Sequence, residues 1–154
     1  MRVHHVFVLA LIYICAAAAP LFAHCEVPCG IYGDDARFAA IAEDVTTIEK
    51  AMGKIAELAD KTDAQSANQL ARWVSTKEQH ANSIQHVVTQ YFMTQRLKVP
   101  AGGDEAAFAG YTNELVLLHK MLRTAMKCKQ TVDPLHAQSL HDLLHEFKEA
   151  YSAK

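Results

Sequence analysis

Apolar residues recur at spacings of three and four along most of the chain beyond Tyr32, and no stretch alternates as a half-buried strand does. The first series predicts a helix capped by Asp34 or Asp35. Its apolar positions are Phe38, Ile41, Val45, Ile48, Met52, Ile55 and Leu58. A second series follows Thr62 and Gln65, which resemble a capping box, and runs to about Lys98. Its apolar positions are Leu70, Trp73, Val74, Ile84, Val87, Val88, Tyr91 and Phe92.

Two further series complete the pattern after residues 99–103, whose sequence Val-Pro-Ala-Gly-Gly breaks a helix. Asp104 is expected to start the third helix, with Lys127 and Lys129 near its end, where the helix dipole favours cations. Asp133 and Pro134 predict the start of a fourth helix, because proline suits the first helical position. Four amphipathic helices joined by short connections predict an all-α fold, an antiparallel four-helix bundle.

Residues 1–23 have the pattern of a removable export signal. Arg2 is followed by a continuous apolar run over residues 6–19, and the segment ends at the small residue Ala23. A membrane span needs about 20 apolar residues, so an uncleaved anchor is the less favoured alternative. We therefore expect a signal peptide over 1–23 and a single domain over 24–154. The processed protein is expected to be exported, periplasmic or secreted, without stable membrane association.

Charge and cysteine content restrict the partners. Loss of Arg2 with the signal changes the formal net charge from −2 to −3, and no basic stripe is present, which argues against nucleic acid as a partner. Cys15 would also be removed, leaving Cys25, Cys29 and Cys128. An odd number of cysteines in an exported protein implies a thiol that is free, bound to metal or paired between chains.

Residues 24–32, which read HCEVPCGIY and are called the N-terminal motif below, would begin the mature chain if cleavage follows Ala23. The amine of His24, the amide nitrogen and thiolate of Cys25 and the thiolate of Cys29 could then form a planar set of two nitrogens and two sulfurs. The His24 imidazole would remain available as an axial ligand. Such strong donors favour square-planar nickel or copper over octahedral metals.

The string H-C-x-x-P-C-G-x-Y, placed directly after a processing site and before an all-helical domain, resembles the nickel superoxide dismutase family. The matching residues are His24, Cys25, Pro28, Cys29, Gly30 and Tyr32. The resemblance implies one nickel ion per subunit, held by His24, Cys25 and Cys29. It implies that Tyr32 is a catalytic-site residue that gates the approach of small anions.

The activity implied by this resemblance is conversion of superoxide to dioxygen and hydrogen peroxide by Ni(II)/Ni(III) cycling, in a homohexamer of bundles. The string Lys77-Glu78-Gln79 also resembles the family, in which the next residue can be an arginine that helps to orient the axial imidazole. Here that residue is His80. Glu43 and Asp44 are the candidates for the carboxylate partner found in the family.

Other interpretations remain open from the sequence. The principal alternative is an exported, non-enzymatic nickel or copper carrier or sensor. A disulfide between Cys25 and Cys29 would instead give a stapled interaction module, and a zinc site would leave the terminal amine unexplained. Tyr32 could serve as a hydrophobic staple at the first helix.

Three further expectations concern the bundle itself. His141 and His145, spaced i and i+4, are interpreted as solvated, and Cys128 as a small buried residue or an idle thiol, not a ligand. Trp73 and Phe92 are expected on exposed faces, where they would favour association of subunits.

Overall fold

A computed structural model describes residues 33–152 of the chain, and the predicted all-α four-helix bundle is confirmed there. The helices are α1 (Asp34–Leu58), α2 (Ala64–His86), α3 (Glu105–Gln130) and α4 (Pro134–Ser152). Helix α2 continues without a break into a π-helical segment, Val87–Arg96, which ends with a 2.9 Å hydrogen bond from the Leu97 amide to the Phe92 carbonyl. Between residues 33 and 152 no helix is both long and apolar enough to span a bilayer.

The helices pack as a ring of neighbours. Helix α1 packs against α2 and α4, and α3 also packs against α2 and α4. The short connections over residues 59–63 and 131–133 make consecutive helices antiparallel. The start of α1 therefore lies beside the end of the π-helical segment and the end of α4, and this pole of the bundle is where residues 1–32 are attached.

The core at this pole is aromatic. Phe38 of α1 has its ring centroid 5.0 Å from Phe92 and 5.7 Å from Phe147, and Tyr151 lies within 5.9 Å of all three rings. Phe92 is completely buried, so its expected place on an exposed face is wrong, whereas Trp73 is half-buried. Phe92 follows the buried residues Ile84 and Val88 at intervals of four, so it shares their side of the helix and faces the core with them.

Two predicted caps differ from those observed. Asp63, and not Thr62, caps α2, since its Oδ1 accepts a 2.9 Å hydrogen bond from the Ser66 amide while Ser66 Oγ donates to Oδ2 at 2.6 Å. Helix α1 is preceded by Gly33 without a side-chain cap, and Asp34 instead accepts hydrogen bonds from other elements.

The other two predicted helix starts are confirmed. Asp104 caps α3 by accepting from the amides of residues 106 and 107 at 3.0 and 3.1 Å. Pro134 is the first residue of α4, and Asp133 Oδ1 accepts from the Leu135 amide at 3.0 Å. The predicted breaker, residues 99–103, lies in the connection before α3, where Gly102 has a φ of 80° that suits glycine.

Candidate metal centre and its attachment to the bundle

The predicted ligands His24, Cys25 and Cys29, together with Tyr32, lie outside the described residues, as does the predicted cleavage site. The structure describes the other end of the connection, where the chain enters α1 at Gly33 and Asp34. Tyr32 is two residues from Asp34. The side chains around Asp34 therefore surround the point at which the described part of the chain begins.

Asp34 accepts hydrogen bonds from two other elements at this pole. The Tyr91 hydroxyl donates to Oδ1 at 2.6 Å, and the Tyr151 hydroxyl donates to Oδ2 at 2.8 Å. Arg96 donates from Nη2 to Oδ2 at 2.7 Å, and its Nε donates to the Tyr151 oxygen at 3.3 Å. We call these four residues the Asp34 clamp. It ties the first turn of α1 to the π-helical segment and to the end of α4.

The protonation states of the clamp suit these roles. Burial opposes ionisation of Asp34, but hydrogen bonds from Tyr91, Arg96 and Tyr151 together lower the pKa of its carboxyl below the usual value. Burial, reinforced by the bond to Asp34, raises the pKa of Tyr91 to about 12, and burial also raises the pKa of Tyr151. At neutral pH the carboxylate is therefore charged and both phenols keep the protons that they donate.

The positively charged groups at this pole lie close to aromatic rings. The guanidinium carbons of Arg37 and Arg96 lie 5.2 and 5.9 Å from the centroid of the Tyr91 ring. Lys148 Nζ lies 5.5 Å from the Phe38 ring and 3.4 Å from Asp35 Oδ1. Within about 6 Å a cation is attracted to the face of a ring, so the contacts of Arg37 and Arg96 with the Tyr91 ring add to the clamp.

A second polar pair links α1 to α2. His80 Nδ1 lies 2.6 Å from Asp44 Oδ1, and because a carboxylate can only accept, Nδ1 carries the hydrogen. Asp44 is almost fully buried, and its Oδ2 is buried without a hydrogen-bond partner among the described residues. The His80 side chain remains about one-third exposed, at 34%. Of the two predicted carboxylates, Asp44 pairs with His80, whereas Glu43 is exposed.

The remaining candidates in the bundle are not arranged as a metal site. His141 and His145 are exposed, as predicted, with side-chain exposures of 66% and 68%. Cys128 is buried, as predicted, and burial raises its pKa to about 11, so its thiol stays protonated. No group of three or more histidine, cysteine, aspartate or glutamate residues in the described bundle could hold a metal ion.

Sequence reasoning missed the Asp34 clamp. Asp34 has the position of a helix cap, and Tyr91 and Tyr151 follow the spacing of core residues. A tyrosine at a core position was the one indication in the sequence, because a buried phenol hydroxyl usually needs a hydrogen-bond partner. Which partner it finds depends on the π-helical segment and on the antiparallel arrangement, neither of which the spacing reveals.

Comparison with known proteins identifies the family. Residues 19–154 match the family model described as nickel-containing superoxide dismutase, and this range includes the whole N-terminal motif. No curated protein and no solved structure matches the chain significantly. The family is enzymatic and takes nickel as its cofactor and superoxide as its substrate, which favours an oxidoreductase over a carrier. The chain therefore belongs to the nickel-containing superoxide dismutase family.

Proposed function

We propose that His24, Cys25 and Cys29 hold the nickel ion with which this chain converts superoxide to dioxygen and hydrogen peroxide. The observation that carries the proposal is the family match, because it extends over the N-terminal motif as well as the bundle. The motif supplies two thiols, an imidazole and, once residues 1–23 are removed, a terminal amine.

The donor set fits nickel. The His24 amine, the Cys25 amide nitrogen and the two thiolates are strong donors that would hold a divalent nickel ion, and the His24 imidazole would supply a further nitrogen. Bound nickel supplies one-electron chemistry by alternating between Ni(II) and Ni(III). The thiolates would carry negative charge, as would the Cys25 amide nitrogen once its proton is released to water on metal binding, and this charge would favour the higher oxidation state. Overall, two superoxide ions and two protons give one dioxygen and one hydrogen peroxide.

Asp44 and His80 are proposed to orient the His24 imidazole. Asp44 lies ten residues into α1, roughly 15 Å from its start, and ten residues of extended chain before Asp34 can reach about 33 Å. The motif is therefore long enough to return to the pair. Asp44 Oδ2, which lacks a partner among the described residues, is a suitable acceptor for a hydrogen bond from His24. A partner of this kind fixes the orientation of a ligating imidazole.

The remaining parts of the proposal concern access, processing and assembly. Tyr32 is proposed to gate the approach of superoxide to the nickel ion. Cleavage after Ala23 is proposed to accompany export of the protein to the periplasm or the exterior, and the mature chain is proposed to form a homohexamer without stable membrane association. Residues 24–154 then form a single domain.

The ligands are tested by replacing Cys25 or Cys29 with serine. A hydroxyl is a poor ligand for nickel at neutral pH, so each variant should lose nearly all superoxide consumption while its far-UV circular dichroism stays helical. Cys128→Ala is the matched control, because Cys128 is buried in the bundle and should leave bound nickel and activity near those of the unchanged protein. Substantial activity in Cys25→Ser or Cys29→Ser, with nickel still bound, would contradict the ligand assignment.

Processing is tested by comparing a protein that begins at His24 with one that begins at Ala23. One extra residue converts the terminal amine to an amide, which lacks the basic lone pair needed to bind the metal. The extended protein should fold but lose nearly all activity and bind nickel more weakly, as measured by elemental analysis after dialysis. Equal activity of the two proteins would mean that the terminal amine is not a ligand. Nickel bound fully by a protein that consumes no superoxide would instead support the carrier.

A further inference from the structure

The Asp34 clamp occupies the boundary between the bundle and the N-terminal motif. Helix α1 has no side-chain cap at its first residue, and the carboxylate of Asp34, which could have capped it, is used by Tyr91, Arg96 and Tyr151. Its neighbour Asp35 differs, with a side chain that is 93% exposed and one ion pair to Lys148. The two aspartates thus lie in the same turn of α1, but Asp34 is bonded to three residues of other elements and Asp35 only to Lys148.

The clamp fixes the backbone at the entry to α1 relative to two other elements. The donors come from the π-helical segment and from α4, so a shift of Asp34 would break charge-assisted hydrogen bonds to both. The Phe38 ring, one helical turn further along, packs against Phe92, Phe147 and Tyr151 below the clamp. The start of α1 is therefore held by polar contacts at Asp34 and, one turn further along the same face, by aromatic packing at Phe38.

A metal-binding segment is most effective when its attachment is already in place before the ligands close. A segment whose point of attachment is mobile loses more conformational entropy when it folds around a metal. This loss lowers the affinity of the segment for the metal. Tyr32 is only two residues from Asp34, so freedom at Asp34 would be transmitted directly to the motif.

We propose that the Asp34 clamp positions the N-terminal motif for nickel, by fixing the point and direction from which residues 24–33 leave the bundle. Asp34 is thus a positioning residue that acts on nickel retention through the backbone, and it contributes no ligand. This inference rests on the proposed function of the motif. It assigns a role to Tyr151 and Arg96, which neither the ligand set nor the Asp44–His80 pair requires.

The experiment measures how fast nickel leaves the loaded, processed protein for an excess of a chromogenic chelator. The variants are Asp34→Asn and Tyr151→Phe, which remove the charge and one donor of the clamp. Asp35→Asn is the matched control, with the same chemical change one residue away. Asp63→Ala is the stability control, because it weakens a helix cap at the opposite pole of the bundle.

Asp34→Asn is expected to release nickel about tenfold faster than the unchanged protein, which is the usual scale for residues that support metal ligands. Tyr151→Phe should also accelerate nickel release, by a smaller factor. If Asp34→Asn does not fold, the release rate of Tyr151→Phe alone tests the proposal. Both controls should release nickel at the original rate. Stoichiometric nickel in all four variants at the start of the assay is part of the expected result.

Two outcomes overturn the proposal. Equal release rates for Asp34→Asn, Tyr151→Phe and Asp35→Asn would show that the clamp does not act on the motif. Equal acceleration by Asp63→Ala would show that the effect is general destabilisation. An error in the ligand assignment would give a different result. The Cys25→Ser variant would then retain its nickel, whatever the release rates of the clamp variants.

Discussion

At the scale of single residues, Lys77 shows how this bundle uses a buried charge. Its ammonium group donates to the carbonyl oxygens of Cys128, Lys129 and Thr131 at 2.6, 2.5 and 3.1 Å. These carbonyls end α3, where the helix dipole is negative and no further amide is available to them. Burial lowers the pKa of Lys77, so its charge is maintained by contacts within the fold. One side chain of α2 thereby supplies the hydrogen-bond donors for the last carbonyl groups of α3.

Replacing Lys77 with methionine should destabilise the protein by about 2–3 kcal/mol, because the helix-end carbonyls lose charged hydrogen bonds and stay partly buried. The measurement is urea denaturation followed by circular dichroism. Lys54→Met is the matched control, since Lys54 is exposed and pairs with Glu57 on the surface of α1, where such pairs contribute less than about 1 kcal/mol. Similar losses in the two variants would contradict the role given to Lys77.

At the scale of elements, the π-helical segment has the largest consequences. It places Tyr91 and Arg96 on Asp34 and Phe92 in the core, although all three lie within ten residues of chain. Thr94 and Gln95 side chains reach carbonyls five residues earlier, at 2.7 and 2.8 Å. An unusual turn of this kind often lies near a functional site, as the Asp34 clamp is proposed to do here.

Helix α2 offers a direct comparison of a predicted and an observed cap. Asp63→Ala should lower the thermal midpoint by a few degrees, because the Ser66 amide loses its acceptor. Thr62→Ala should leave the midpoint almost unchanged, since Thr62 is exposed and outside the observed cap. Differential scanning calorimetry of the two variants separates the alternatives. A larger effect from Thr62→Ala would restore the capping box expected from the sequence.

At the scale of the whole molecule, the bundle keeps apolar side chains on its surface. Val99, Phe108 and Leu135 are 67%, 56% and 68% exposed, although they are large and hydrophobic. Residues 105–110, at the start of α3, are all exposed, including three alanines. Surfaces of this kind favour contact between copies of a chain, in agreement with the proposed hexamer. Of the two side chains that the sequence suggested for this role, Phe92 is in the core and Trp73 is half-buried.

Light scattering of the processed protein should give about six times the mass of one subunit, as the proposed hexamer requires. Phe108→Ser should lower the assembled fraction, because it removes apolar surface that association would bury. Ser139→Ala, a change at an exposed position of α4, is the control that leaves the mass unchanged. A clean monomer at micromolar concentration would contradict the assembly, and an unchanged mass for Phe108→Ser would exclude this surface from the contacts.

Most of the fold followed from the sequence because helix periodicity is a local signal. The four apolar series, the breaker before Asp104 and the proline at the start of α4 each depend on a few neighbouring residues. The N-terminal motif is local for the same reason, since its donors lie within six residues, and it indicated the family that the comparison then identified. The ligand assignments themselves remain predictions.

Tertiary structure decided what local patterns leave open. Asp34 could have been a cap, Glu43 or Asp44 could have met His80, and Phe92 could have faced solvent. The choice in each case depends on how α1, α2 and α4 approach one another and on the change of helix type at Val87. Hydrogen bonds between residues 36 to 117 positions apart are set by packing, and periodicity in a single helix carries no information about them.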